Sequence, residues 1–343
     1  MLALLLFFIS LFASSDSFVA TGSQPQVALD YNGVIRVVFG RADSIFCSSS
    51  TDTGETFSDP VLVGHISGMH LGMTRGPQIA SSSRYTIITA MDKAGNIHFF
   101  ELSNTDSGWT YKGLVNDVPD TAPEGLMSIT ADANDNFYAV WLDIRIGRHN
   151  NIFFASLSGE KPKWTKNRMI YQSPDGHVCE CCKPGIAVNG SRLALMYRNW
   201  LKGSRDLYMS SSENGGQTFD ASKKLGNGTW KLDGCPMDGG GITIDDAGQI
   251  HTVWQREGAV YYCRPGQPEI NLGNGKICSF SSGLNNDKIF IAMQHGGEVK
   301  IADFNNRESV TIGKGVFLKS VTLPGNKILC AWEQGNQIKV RKM

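Results

Sequence analysis

Short apolar runs of strand length, each broken by Gly, Asn or Asp, recur along the whole chain. Runs of four to eight residues bounded by turn formers predict hairpins rather than helices. Three runs at 185–188, 193–197 and 207–210 lead into the octet Ser212-Glu213-Asn214-Gly215-Gly216-Gln217-Thr218-Phe219. With a fourth strand after that turn, they make one four-stranded antiparallel unit. The same order recurs near the N-terminus, where Ser50-Thr51-Asp52-Thr53-Gly54-Glu55-Thr56-Phe57 takes the place of the octet.

Seven first-strand signatures follow one another at 26–30, 78–80, 128–132, 185–189, 241–245, 279–283 and 319–323, each with an apolar second strand such as IRVVF, FYAVWL or KILCAW behind it. A lone four-stranded sheet of this kind exposes two apolar faces that only neighbouring sheets can cover. Radial repetition solves that problem, so the pattern predicts an all-β chain folded as a β-propeller of four-stranded antiparallel blades. Seven blades fit the count, and six would fit if one C-terminal unit were irregular. The last unit stops after a third strand, and residues 17–23 are placed to supply the missing outer one. No Pro- or Ser-rich linker interrupts the series, so residues 21–343 are expected to form a single domain.

Composition adds limits. At 41% hydrophobic and 19% charged the chain is globular, and 32 basic residues cancel 32 acidic ones, which gives no footprint for nucleic acid. Residues 1–13 hold one polar member and are too short to span a bilayer. They predict a cleaved signal within residues 1–20, cut between Ala13 and Ala20, and hence an exported protein, periplasmic or extracellular, with no transmembrane anchor after cleavage. Export favours oxidation of the eight cysteines. Cys235 is expected to meet Cys179, Cys181 or Cys182 across two blade connections, and Cys47 with Cys330 and Cys263 with Cys278 are candidate staples. The alternative for the dense segment is a copper or zinc site built from His177, Cys179, Cys181, Cys182 and Cys235; otherwise no cofactor is expected. Asn189-Gly190-Ser191 and Asn227-Gly228-Thr229 meet the glycosylation pattern and fit turns.

The two octets resemble the Asp-box, Ser-x-Asp-x-Gly-x-Thr-Phe/Trp, of the sialidase-like (BNR-repeat) propellers, with Asn214 replacing the acid in the second and residues 103–109 a degraded relative. The resemblance places these turns on the face opposite the site. Blade connections and the loops between second and third strands then converge on the other face, and they carry both signs of charge. There Arg75, in Thr74-Arg75-Gly76-Pro77, is similar to the arginine that begins the sialidase carboxylate clamp, and Arg198 and Arg256 are the candidates to complete it. Arg145 and His295 occupy equivalent loops. The resemblance makes Asp92 the acid, with Asp143 next. The sialidase tyrosine nucleophile finds no match, which leaves Glu124 and Glu180 as further carboxylates, or pairs such as Asp92 with Asp143 for an inverting hydrolase. The expectation is an exported propeller that binds an anionic oligosaccharide or glycoconjugate at its central face, with glycoside hydrolysis as a further option. The alternatives are a non-catalytic carbohydrate- or protein-binding propeller, with an exported protein as partner, and a metal-binding protein that uses the Cys-rich loops.

Overall fold

A computed structural model describes residues 16–343, apart from 104, 107, 160–162, 283–287 and 307. The expected leader therefore lies largely outside the described residues. Seven four-stranded antiparallel sheets succeed one another along the chain. Their innermost strands are Ser23–Leu29, Gln78–Ser81, Met127–Ala131, Gly185–Asn189, Gly241–Ile244, Lys276–Phe280 and Val316–Leu323, for blades 1 to 7. Adjacent inner strands lie side by side around a central channel, which makes the molecule a seven-bladed β-propeller.

The second strands explain why the blades cannot stand alone. Ile35–Arg41 is buried at every position but its last, and Tyr85–Met91 at all but its first, because both faces of these strands are covered. The covering is done by neighbours. Among the described residues seven apolar clusters, apart from a small one around Cys179, each join side chains of two adjacent blades. Trp141 and Phe137 of blade 3 pack with Ile87 and Phe99 of blade 2, for example, and Trp332 of blade 7 with Ile301 of blade 6. The seventh cluster closes the ring, joining Val37 and Phe39 of blade 1 to Leu329 and Ile338 of blade 7.

Closure is also a matter of strand pairing. Ser17–Thr21 pairs antiparallel with Gln337–Lys342 and becomes the outer strand of blade 7, as residues 17–23 were expected to do. The N-terminal segment thus covers the edge that the C-terminal unit leaves open.

The octets fold as tight polar turns. The Asp52 carboxylate accepts hydrogen bonds from the Ser50 hydroxyl at 2.7 Å, the Thr56 amide at 3.0 Å and the Thr56 hydroxyl at 2.6 Å. These donors, led by the Thr56 hydroxyl, hold the carboxyl's titration well below the usual carboxylate range. Asn214 makes the neutral version, its Oδ1 accepting from the Ser212 hydroxyl at 2.9 Å and the Thr218 amide at 2.9 Å. In this second octet Gly216 has φ 78°, and a Cβ there would stand 2.6 Å from Phe154, so glycine is required twice over.

Two expected staples do not form. Cys47, Cys330, Cys263 and Cys278 are free and buried. Cys47 packs between blades 1 and 2 and Cys330 between blades 6 and 7, so neither faces the seam between blades 7 and 1. Likewise Cys263 faces blade 4 and Cys278 lies between blades 5 and 6. Burial pushes the thiols of Cys47 and Cys330 up to about 12, as inert core groups.

Candidate functional site

The channel opens on both faces of the ring. On the octet face a cavity of about 520 Å³ is lined by the ends of inner strands, including Ala80, Thr130, Ala187 and Thr243. On the connection face a smaller pocket of about 230 Å³ is lined by Gln24, Gln78, Ser128, Lys183, Asp238 and Lys319, among others. The second is the chemically loaded one. Its lining comes from blade connections and from the first residues of inner strands, which the propeller topology aims at the channel mouth.

Two lysine side chains share this pocket. Lys183 arrives on the connection into blade 4 and Lys319 on the inner strand of blade 7. Lys183 donates from Nζ to Gln78 Oε1. Burial and the Lys319 charge push Lys183 well below the ordinary lysine value, and burial pushes Lys319 down too, with Asp238 among the groups that oppose the shift. Both side chains remain partly open to solvent through the mouth. Asp238 is tied to backbone, accepting from the Ile277 amide at 2.6 Å and the Gly240 amide at 3.0 Å. The backbone itself is tight here: a Cβ on Gly239 would stand 1.8 Å from the Lys183 carbonyl oxygen. Only glycine lets the two connections touch.

Arg75 stands beside Thr74, which lines the pocket. Its guanidinium donates from Nε to the Glu124 carbonyl at 2.5 Å and lies 3.4 Å from the Glu124 carboxylate. Glu124 is half-buried. Burial raises its carboxyl above the usual range, Arg75 opposes that, and repulsion from Glu180 adds to it. Glu180 itself is exposed, 4.0 Å from the His177 ring.

The other sequence candidates are placed elsewhere. Arg198 is 1% exposed and spends its guanidinium on three carbonyls, of Asp238 at 3.0 Å, Arg205 at 2.7 Å and Gln255 at 2.9 Å. Arg256 forms a fork with the Glu269 carboxylate and lies 4.0 Å above the Tyr261 ring, at the third and fourth strands of blade 5. Asp143 is 0% exposed and accepts from Trp141 Nε1 at 2.8 Å, Thr121 Oγ1 at 3.0 Å and the Arg145 guanidinium at 2.7 Å. Arg145 in turn bridges to Asp117 at 2.6 Å. Asp92 closes its own hairpin, accepting from the Gly95 amide at 2.8 Å, the Asn96 amide at 2.9 Å and His98 at 3.1 Å. Burial works to raise its carboxyl, but these donors outweigh burial and it titrates below the usual range. That is the opposite of what a general acid requires. His295 is exposed at the hairpin between Phe290–His295 and Glu298–Asp303.

The connections that carry Lys183 and Asp238 also carry a sulfur cluster. Cys181 and Cys235 are joined by a disulfide that ties the connection into blade 4 to the connection into blade 5. Cys179 Sγ lies 3.2 Å from Cys182 and 3.7 Å from Cys181, and Cys181 and Cys182 are 4.0 Å apart. Arg205 donates from a terminal nitrogen to Cys179 Sγ at 3.0 Å. The hydrogen bond with Cys182 pulls the Cys179 thiol below its ordinary range, helped by Arg205 and Arg198 and opposed by burial. Burial and the neighbouring Cys179 push Cys182 up. Among the described residues, Cys179, Cys181 and Cys182 are the group whose ligand atoms converge as a metal would need. His177 is not among them; its ring lies between those of His149 and Trp200, at 5.7 and 6.0 Å.

Sequence reasoning missed Lys319, Gln24 and Gln78, which sit on inner strands rather than in loops. The available signal was a charged residue interrupting an apolar run, as Lys319 does in the segment VFLKSVTL at 316–323.

No protein-family model matches the chain, and no curated protein matches it. Solved structures do. The BP39L lectin from Burkholderia pseudomallei is 10% identical, with 95% of this chain and 96% of that one covered at a TM-score of 0.70. A polysaccharide lyase of family PL25, an ulvan lyase bound to -[GlcA(1-4)Rha3S]-, is 11% identical, with 94% of each chain covered and a TM-score of 0.57. A variant of the Aleuria aurantia lectin AAL, in complex with Fucα1-6GlcNAc, is 13% identical, covering 78% of this chain and 91% of that one at a TM-score of 0.53. At such identities the likeness establishes the fold and nothing finer.

Proposed function

We propose that the connection-face pocket binds an acidic carbohydrate, with a carboxylate or sulfate of the sugar seated between Lys183 and Lys319. The observation that carries the reading is the pairing of two lysines from blades 4 and 7 in one concave site with Asp238 as the carboxylate of its lining, and that carboxylate already engaged by two amides. Two cations held together out of bulk water are costly, and an anion relieves both. Gln24, Gln78 and Ser128 supply neutral hydrogen-bonding groups of the kind that orient sugar hydroxyls. Lectin and polysaccharide-lyase neighbours on the same fold, one of them bound to a glucuronic-acid-containing oligosaccharide, support a carbohydrate as ligand. Arg75 stands at the rim as a further anion contact. The apolar leader and the disulfide support export.

The test is calorimetric titration of uronic-acid and sialylated oligosaccharides into the wild type, Lys183→Met and Lys319→Met. Each single variant is expected to weaken binding by about tenfold to a hundredfold, the range for losing one charge-assisted contact. Unchanged affinity in both variants would remove the pocket from consideration.

A second reading, glycoside hydrolysis, rests on Glu124, the half-buried carboxyl whose titration is raised next to Arg75 and Glu180. It is the acid this site favours. An NMR time course on the same oligosaccharides decides it: product formation lost in Glu124→Gln supports catalysis, and no product leaves a binding protein.

A further inference from the structure

The four clustered sulfurs are unlike the other cysteines. Cys47, Cys263, Cys278 and Cys330 are buried in separate places between blades, whereas Cys179, Cys181, Cys182 and Cys235 meet in one place. Within that group Cys179 and Cys182 have the Cys-x-x-Cys spacing of redox dithiols. Their sulfurs are 3.2 Å apart, and Cys179 lies 3.7 Å from one sulfur of an existing disulfide. A cationic donor, the Arg205 guanidinium, touches Cys179 Sγ at 3.0 Å and favours its thiolate, the form that attacks disulfides. Access is graded from inside outwards. Cys179 and Cys182 are fully enclosed, Cys181 is nearly so, and Cys235 is exposed.

We propose that these residues form a dithiol–disulfide relay, in which the buried pair Cys179 and Cys182 passes two electrons to the Cys181–Cys235 disulfide, and exposed Cys235 then exchanges with a disulfide of another protein. In the first step the Cys179 thiolate attacks Cys181 Sγ. The Cys179–Cys181 bond forms, the Cys181–Cys235 bond breaks, and the electron pair leaves on Cys235. In the second step Cys182 loses its proton to the Cys235 thiolate, and its sulfur attacks Cys179 Sγ. The Cys179–Cys182 bond forms, the Cys179–Cys181 bond breaks, and Cys181 leaves as a thiolate that takes a proton from solvent. The four-cysteine group still holds one disulfide and two thiols, so no outside oxidant is consumed. What has changed is position, since the thiols now include Cys235 at the surface. Cys235, deprotonated, attacks the partner's disulfide and releases one partner thiolate. Cys181 resolves the mixed disulfide, restores the Cys181–Cys235 bond and releases the second thiolate. An external dithiol then reduces the Cys181–Cys235 bond at exposed Cys235 and leaves as its own disulfide, and the same two exchanges in reverse re-form Cys181–Cys235 and return the buried pair to its reduced form.

The proposal is independent of the carbohydrate reading. It is tested on the full chain by alkylating free thiols after brief exposure to dithiothreitol and mapping disulfides by mass spectrometry. The wild type is expected to yield Cys179–Cys182 bridged peptides with Cys235 alkylated, alongside the Cys181–Cys235 form. Cys182→Ser is expected to trap Cys179–Cys181 with Cys235 free. Reduction of insulin disulfides by dithiothreitol is expected to be accelerated by the wild type and to fall at least about tenfold in Cys235→Ser and in Cys179→Ser. Cys235→Ser alters an exposed residue, so its folding, checked by circular dichroism, is the control if Cys179→Ser fails to fold. Cys181–Cys235 as the sole pairing under all conditions, with Cys179 and Cys182 always alkylated together, would overturn the relay. One equivalent of zinc or copper on the reduced protein, shielding all four thiols from alkylation, would overturn it in favour of a metal centre.

Discussion

Replacing Arg198 by methionine keeps most of the side-chain volume and removes donors to the carbonyls of Arg205, Asp238 and Gln255. The cation also lies 5.4 Å from the Trp230 ring, so its packing is aromatic as well as polar. Hydrogen bonds from a charged donor contribute about 1.5–3 kcal/mol each, and burying the cation costs part of that sum. A net loss of roughly 2–4 kcal/mol is expected for Arg198→Met, read from the denaturant midpoint at unchanged slope. If Arg198 were a surface ligand residue instead, stability would hardly move and only affinity would fall. The same distinction separates Arg75 from Arg198 in the fold: both end up on the connection face, but Arg75 leaves part of its guanidinium at the rim while Arg198 is enclosed.

Among the elements, the outer strand of blade 7 is the one whose position in sequence and in space differ most. Ser17–Thr21 contributes backbone pairs to Gln337–Lys342, the buried Ala20, and an Asp16 contact to Arg341 at 2.5 Å. Deleting residues 16–21 strips those pairs and exposes an edge strand. The expected outcome is a drop in Tm of roughly 5 °C or more, with concentration-dependent association on heating. A chain that keeps its Tm and stays monomeric would show that inter-blade packing alone closes the ring. This closing strand was legible in the sequence because the last unit visibly lacks a fourth run, and the seven blades were legible because every second strand has an apolar centre. The pocket was less so. One of its lysines, Lys319, lies inside an inner strand, and a charged residue within an apolar run does not announce a channel-facing position unless the topology of the ring is known. Loop position also does not distinguish Asp92, which folds back on its own hairpin, from Glu124, which faces Arg75. Both are acids in connecting segments; only the tertiary partner separates them. The disulfide staples failed for the same reason, since sequence gives the strand a cysteine sits on and not the flank it faces.

At the scale of the whole molecule, seven inter-blade clusters close on one another, so a ligand held at the central mouth touches several blades at once and stabilises the ring as a unit. A ligand at a hundredfold excess over its Kd adds about 2.7 kcal/mol, a Tm shift of a few degrees. The two pocket lysines make that shift depend on pH in a direction that can be worked out. In the ligand-free protein both titrate below the ordinary lysine value of 10.5. Between the depressed value and 10.5 the unfolded chain binds more protons than the folded one, so their contribution to stability rises with pH across that window. A bound carboxylate or sulfate favours the charged lysines, raises their titration and draws protons in on binding. The stabilisation by an acidic oligosaccharide is therefore largest below the free-state titration of the lysines and shrinks as pH rises from there to their bound-state titration. Thermal unfolding with and without ligand, followed from neutral to alkaline pH, should show the two curves converging. The gap should be absent for a neutral oligosaccharide of the same length and in the Lys183→Met, Lys319→Met double variant. A gap that widens with pH, or one that the neutral sugar reproduces, would mean that the lysines do not carry the anion and that the ring is held by ligand contacts elsewhere.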